Sequence, residues 1–257
     1  MSTGSDESLT RLEAEHTPEA IRTRLARGPS ASHIRDFVYG GIDGAITTFA
    51  IVAGVTGAEL SAGIVVILGV ANLVADGFSM GVSSFLGYRA EDQRVWKTRR
   101  EILRHIRLVP EGEKEKTRQI FAAKGFEGEE LERVVEVITS DEEQWAETMI
   151  REEHGLARGM TSPTRIGLVT FASFIAIGTI PLLAFFYDLA ASGGLASPFA
   201  WSAALTGVAF FLVGAIKSRF VVGRWWTSGL ETLAVGGIAA GLAYAIGVVL
   251  RGLADSI

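Results

Sequence analysis

Two acidic residues, Asp43 and Asp76, stand inside adjacent runs that are otherwise apolar enough to cross a lipid bilayer. A carboxylate in hydrocarbon is costly, so it is rare there and tends to face a bundle interior or a water-filled path. The second run, Leu60 to Leu86, also carries Asn72, Ser79, Met80 and Ser84. Asn72, Asp76, Met80 and Ser84 recur every four residues, so on a helix they form one slowly drifting stripe. Oxygens and a thioether on one face suggest a route for a cation. The soft thioether suits ferrous iron or another transition metal better than magnesium or calcium.

Five windows, at about 37–58, 61–87, 165–187, 199–222 and 228–250, reach the roughly 20 apolar residues that a helix needs to span the hydrocarbon. They are too long for strands and lack period-two alternation. The expected fold is therefore all-α: a polytopic membrane protein of five transmembrane helices. The chain holds 30 glycines, which suits closely packed membrane helices. It has no cysteine, so disulfides, thiolate metal sites and a cysteine nucleophile are excluded. A formal charge of −5 gives no nucleic-acid footprint. The first 35 residues lack the apolar core of a cleavable signal, so span one is expected to act as the insertion signal.

Basic residues set the orientation. Arg22, Arg24, Arg27 and Arg35 precede span one, and Arg89, Arg94, Lys97, Arg99 and Arg100 follow span two. Arg158 and Arg165 flank span three, and Lys217, Arg219 and Arg224 separate spans four and five. The links around Gly57–Ser61 and Asp188–Pro198 contain no Lys or Arg. This predicts an integral multi-pass protein with its N-terminus in the cytoplasm and its C-terminus outside, in the cell membrane if the source is prokaryotic. Residues 1–35 form an N-terminal arm, 36–88 spans one and two, 89–160 a cytoplasmic helical insert, and 161–257 spans three to five. The insert holds 17 acidic and 14 basic residues. Span two is expected to continue as a helix to about Leu108, where Pro110 ends it. Further helices are expected from about Glu111 to Lys124, with Gly125 closing the helix, and from Gly128 to Thr139. In the latter, Leu131, Val134, Val135 and Ile138 share the buried side. Ser140 with Glu143 reads as a capping box opening a last helix that runs to about His154. A module this small needs help from the membrane domain or a second subunit. In the arm, Thr17-Pro18 marks a helix start.

The run Asp36-Phe37-Val38-Tyr39-Gly40-Gly41-Ile42-Asp43-Gly44 resembles the opening of the first membrane helix of the vacuolar iron transporter family. Ala75-Asp76-Gly77-Phe78-Ser79-Met80-Gly81 resembles that family's Ser-Met motif, and the insert's Trp145-x-x-x-Met149-x-x-x-Glu153 matches too. The resemblance covers about residues 33–250. It implies a five-helix homodimer that moves ferrous iron, and often manganese, out of the cytosol in exchange for protons. It implies a path lined by Asp43 and Met80, with Asp36 near the cytoplasmic mouth. The stripe adds Asn72 and Asp76 to that path. The resemblance also implies that the insert gathers metal on Glu101, Glu113, Met149 and Glu153, with Glu152 and His105 as further candidates. The chain departs from the family where Lys116 follows Glu113 at i+3: a lysine stands where a second carboxylate is expected and weakens the site. His105, four residues after Glu101, is the substitute ligand the sequence offers.

The expected partners are divalent metal ions, protons, lipid and a second copy of the chain. No tightly bound cofactor and no enzymatic activity are expected. The alternatives are a membrane-anchored metal-binding regulatory protein and a di-iron carboxylate protein. The latter is disfavoured because Glu-x-x-His, its usual ligand pair, is absent from the spans and the insert.

Overall fold

The computed structural model describes residues 9–10, 12–27, 33–156, 161–191 and 194–254; Arg158, one of the basic flanks, lies outside them. Every regular element among the described residues is a helix. The chain divides into two units, Met1–Ser32 and His33–Ile257. In the first, α1 (Pro18–Arg27) starts as the sequence predicts. Thr17 Oγ1 accepts the Ala20 N–H at 3.3 Å, and Pro18 takes the first position, where no N–H is needed.

The second unit contains α2 (Ile34–Gly57), α3 (Ala62–Leu108), α4 (Pro110–Ala122), α5 (Gly128–Thr139), α6 (Glu142–Glu152), α7 (Pro163–Gly178), a 3-10 turn (Ile180–Leu182), α8 (Leu183–Ala190), α9 (Pro198–Lys217) and α10 (Trp225–Ala254). Among the described residues, five helical stretches are long and apolar enough to cross a membrane: α2, the first half of α3, α7 through α8, α9 and α10. The third stretch differs from the single helix expected over 165–187. Pro181 has no N–H to donate and interrupts the helix with a 3-10 turn. The buried Ser202 hydroxyl of α9 donates to the Pro181 carbonyl at 2.6 Å and satisfies it at the break.

Bilayer lipid is as apolar as leucine, so membrane helices associate through close packing. Glycine supplies that closeness here. A methyl group on Gly40 would lie 2.6 Å from the Thr170 carbonyl oxygen, and one on Gly44 would lie 3.0 Å from the Phe174 carbonyl carbon. One on Gly77 would meet the Phe174 ring at 3.1 Å, and one on Gly81 would meet the Gly167 carbonyl at 3.0 Å. The two Gly-x-x-x-Gly pairs, one on α2 and one on α3, therefore clasp the same helix, α7. Phe49, Val52, Phe174, Leu182 and Phe210 fill the core beside this contact.

α3 runs unbroken for 47 residues. At about 1.5 Å per residue it is about 70 Å long, more than twice the roughly 30 Å hydrocarbon thickness. Its second half is where the insert forms. Val95, Ile102 and Ile106 of α3 share one apolar cluster with Ile138 of α5 and with Trp145, Met149 and Ile150 of α6. All of these residues lie within 89–160, so the extension of span two serves as the insert's own first helix. Val135 and Ile138 are buried on α5, with Leu131 and Val134 half-buried, as the spacing predicts. Gly125 and Gly155 take φ of +97° and +61°, the left-handed backbone that ends α4 and α6. The cap of α6 differs from expectation. Asp141 Oδ1 accepts the Gln144 N–H at 2.7 Å, while the Ser140 hydroxyl donates back to the Val137 carbonyl. A carboxylate three residues ahead of that N–H is the stronger acceptor and displaces serine from the role.

Gly44→Ala is expected to destabilise the bundle by about 1–3 kcal/mol, because the added methyl meets backbone that cannot yield. Gly87→Ala, with open space around it, is expected to be neutral or stabilising. Thermal unfolding of the two variants in detergent micelles checks the pair.

Candidate metal path and insert

α2 and α3 run antiparallel, and two hydrogen bonds set their register. Asn72 Nδ2 donates to Thr47 Oγ1 at 3.5 Å, and Tyr88 Oη donates to Asp36 Oδ1 at 3.2 Å. Stepping four residues from the first bond along each helix brings Asp43 level with Asp76. Thr47 also donates to the Asp43 carbonyl at 2.9 Å, the self-bonding role its sequence suggests. Both carboxylates are exposed on the single chain. Leu68, Ala71 and Ala75 are the exposed apolar residues of α3 that line one cavity with Asp76. The glycines explain this outward aim. Gly44 and Gly77 press against α7, so their neighbours Asp43 and Asp76 are rotated about 100° away from it.

The stripe on α3 lines two cavities in turn. Asn72 and Asp76 line one of about 1130 Å³, shared with the ends of α2 and α10. Glu59 and Arg251 form an ion pair at its margin. Met80 and Ser84 line another of about 550 Å³ with Asp36, Tyr39 and Tyr88. Asp36 is only 11% exposed, and Tyr88 links it to Arg35 by accepting a hydrogen bond from the guanidinium. His33 and Arg35 each lie 4.0 Å from the Asp36 carboxylate. Tyr88 was not singled out from the sequence. The signal was present, since 88 is the next member of the four-residue series 72, 76, 80, 84.

The six insert candidates are dispersed. His105 Nδ1 lies 3.6 Å from Glu113 Oε1. Lys116 Nζ lies 2.9 Å from that same oxygen and 3.1 Å from Glu153 Oε1. Burial works against the Lys116 charge, but its hydrogen bonds to Glu113 and Glu153 outweigh it and hold the ammonium above its usual range. Met149 is fully buried, and its sulfur accepts the Thr117 hydroxyl at 3.5 Å. Glu152 pairs with Lys124, and Glu101 is exposed on α3. No group of three His, Asp or Glu side chains converges among the described residues.

Comparison with known proteins places the chain. A family model described as the VIT family matches residues 34–248. The chain belongs to the VIT family. It is 32% identical over 228 residues to the vacuolar iron transporter of Toxoplasma gondii, covering 86% of this chain and 76% of that one. It is 31% identical over 225 residues to the vacuolar iron transporter of Plasmodium berghei, covering 85% and 82%. Vacuolar iron transporter 1 of Arabidopsis thaliana is 29% identical over 219 residues, covering 85% and 86%. As a VIT-family chain with five apolar helices of spanning length, it is an integral membrane protein.

Outside the spans, α4 and α5 are joined by Arg118. It donates to Glu132 at 2.7 Å and also pairs with Glu115. Gln119 and Arg118 hold the Glu115 carboxyl below its usual range, and Arg118 does the same for Glu132. A depressed carboxylate stabilises the fold above its unfolded pKa, and that contribution is lost as pH falls through the folded value. Acidification below about pH 4.5 is therefore expected to lower the protection factors of amides at the α4–α5 contact, taken against the intrinsic exchange rate at each pH. Arg118→Met should remove that pH-dependent part, as hydrogen exchange read by mass spectrometry would show.

Proposed function

We propose that this protein carries a divalent transition metal, ferrous iron and also manganese, out of the cytosol in exchange for protons. It acts as a homodimer whose path runs between α2 and α3 of each copy. The insert and N-terminal arm lie on the cytoplasmic side and the C-terminus outside, as the distribution of Lys and Arg along the chain argues.

The supporting observation is the pair Asp43 and Asp76, brought level by the Asn72–Thr47 register and exposed on a face that the single chain leaves open. Facing lipid, two carboxylates would be strongly disfavoured. A second copy covering that face turns it into a shared axis, where a cation neutralises groups that otherwise repel. The relatives' names add weight, since they are iron transporters.

The residues divide the work by depth. Asp36 receives the ion at the mouth, where Tyr88 positions its carboxylate with a hydrogen bond. Met80 offers a soft thioether next along the stripe. Asp43 and Asp76 take the ion in the middle, and Asn72 with Thr47 borders the far cavity. Metal binds only ionised carboxylates, so protons compete for the same oxygens. Protons entering from the opposite side release the metal and leave Asp43 and Asp76 neutral for the return. That competition is sufficient to couple the two flows.

In proteoliposomes, Fe²⁺ uptake by the parent should accelerate under an imposed pH gradient. Asp43→Asn and Asp76→Asn should each slow it by about tenfold or more, a barrier change of about 1.4 kcal/mol. Uptake indifferent to the gradient would indicate a passive channel instead. Tyr88→Phe keeps the ring near Arg35 but removes the hydrogen bond that positions the Asp36 carboxylate. The expected result is a KM for Fe²⁺ raised by roughly threefold to tenfold with the maximal rate little changed.

A further inference from the structure

We propose that Lys116 stands where a metal ion would otherwise join α4 to the end of α6, so that the insert holds its shape with no metal bound to it. The proposal does not depend on the transport mechanism above.

Glu113 lies on α4 and Glu153 directly follows α6. The Lys116 ammonium is 2.9 Å from Glu113 Oε1 and lies 3.1 Å and 3.3 Å from the two oxygens of Glu153. One cation thus bridges two acidic side chains from different helices, which is what a divalent ion would do there. This cation is tethered, so its occupancy does not depend on metal concentration. Glu113 is buried, with its side chain 7% exposed, so its charge needs a partner in the folded state.

The other donors are engaged elsewhere. Trp145 Nε1 donates to Thr117 Oγ1 at 2.8 Å, and the Thr117 hydroxyl, which also faces the Glu113 carbonyl at 2.9 Å, lies 3.5 Å from the Met149 sulfur. Burial in the apolar core of the insert keeps the thioether away from the Lys116 carboxylates. Lys124 takes Glu152. What remains near Lys116 is the His105 ring, the His154 ring 3.7 Å from Glu153 Oε2, and Glu113 Oε2, a buried oxygen with no hydrogen-bond partner. Among the described residues no three of these groups converge as a metal site, and a bound ion would sit beside a repelling ammonium. The insert is therefore a constitutive extension of α3, and its conformation does not report metal load.

The test uses the full chain in detergent micelles with Mn²⁺ as probe, in an Asp43→Asn/Asp76→Asn background that removes the membrane carboxylates. Paramagnetic resonance counts bound Mn²⁺, and hydrogen exchange reads α4 and α6. The bound count of the parent background should not change on adding Glu113→Gln and Glu153→Gln, and Mn²⁺ should not alter its exchange. Lys116→Gln should speed exchange in α4 and α6 by about tenfold, the scale of one charge-assisted bond, and Mn²⁺ should restore protection. Lys116→Glu should bind one additional Mn²⁺ and lose it when Glu113→Gln is added. A bound count that falls in the Glu113→Gln/Glu153→Gln variant overturns the proposal. So does a Lys116→Gln protein whose α4 and α6 exchange as slowly as the parent's.

Discussion

Backbone contact across glycine organises this bundle. Within hydrocarbon no hydrophobic force draws helices together, so association depends on how near two backbones can come. Gly40 and Gly44 on α2 and Gly77 and Gly81 on α3 meet α7 at separations that leave no room for a methyl group without a shift. That contact fixes the rotation of α2 and α3 about their own axes. Once their glycine faces are committed to α7, the acidic residues adjacent in sequence must point elsewhere. Packing and chemistry are thus written into the same nine-residue and seven-residue runs.

The second consequence concerns α3. It is one helix from the far cavity to the end of the charged half, and it carries both the polar stripe and a third of the insert's buried core residues. A continuous helix transmits tilt and rotation along its length because every turn is hydrogen-bonded to the next. The insert is therefore mechanically attached to the wall of the proposed path. With Lys116 bridging Glu113 and Glu153, that attachment is set by charges the chain itself supplies.

Much of the fold could be read from residue order. Five apolar windows, the long second helix, the helices of the insert and the start of α1 all follow from period, length and capping chemistry. The differences are local. Pro181 breaks the third span because a missing N–H outweighs apolar continuity, and Asp141 outcompetes Ser140 as a cap. The site was legible where spacing carries the information. The stripe through Asn72, Asp76 and Met80 was visible, and Tyr88 extends it by one more step. The insert was less legible, because Glu101, His105, Glu113, Met149, Glu152 and Glu153 meet or miss one another only through the packing of separate helices.

The sequence by itself determined that these segments are helices and that carboxylates lie among apolar residues, since hydrocarbon requires every backbone group to be bonded within its own segment. Only the tertiary structure decided which way those carboxylates face, which acidic side chains a lysine claims, and that Met149 belongs to a core. The reason is physical: periodicity specifies one helix at a time, whereas rotation and register are set by contacts between helices distant in the chain.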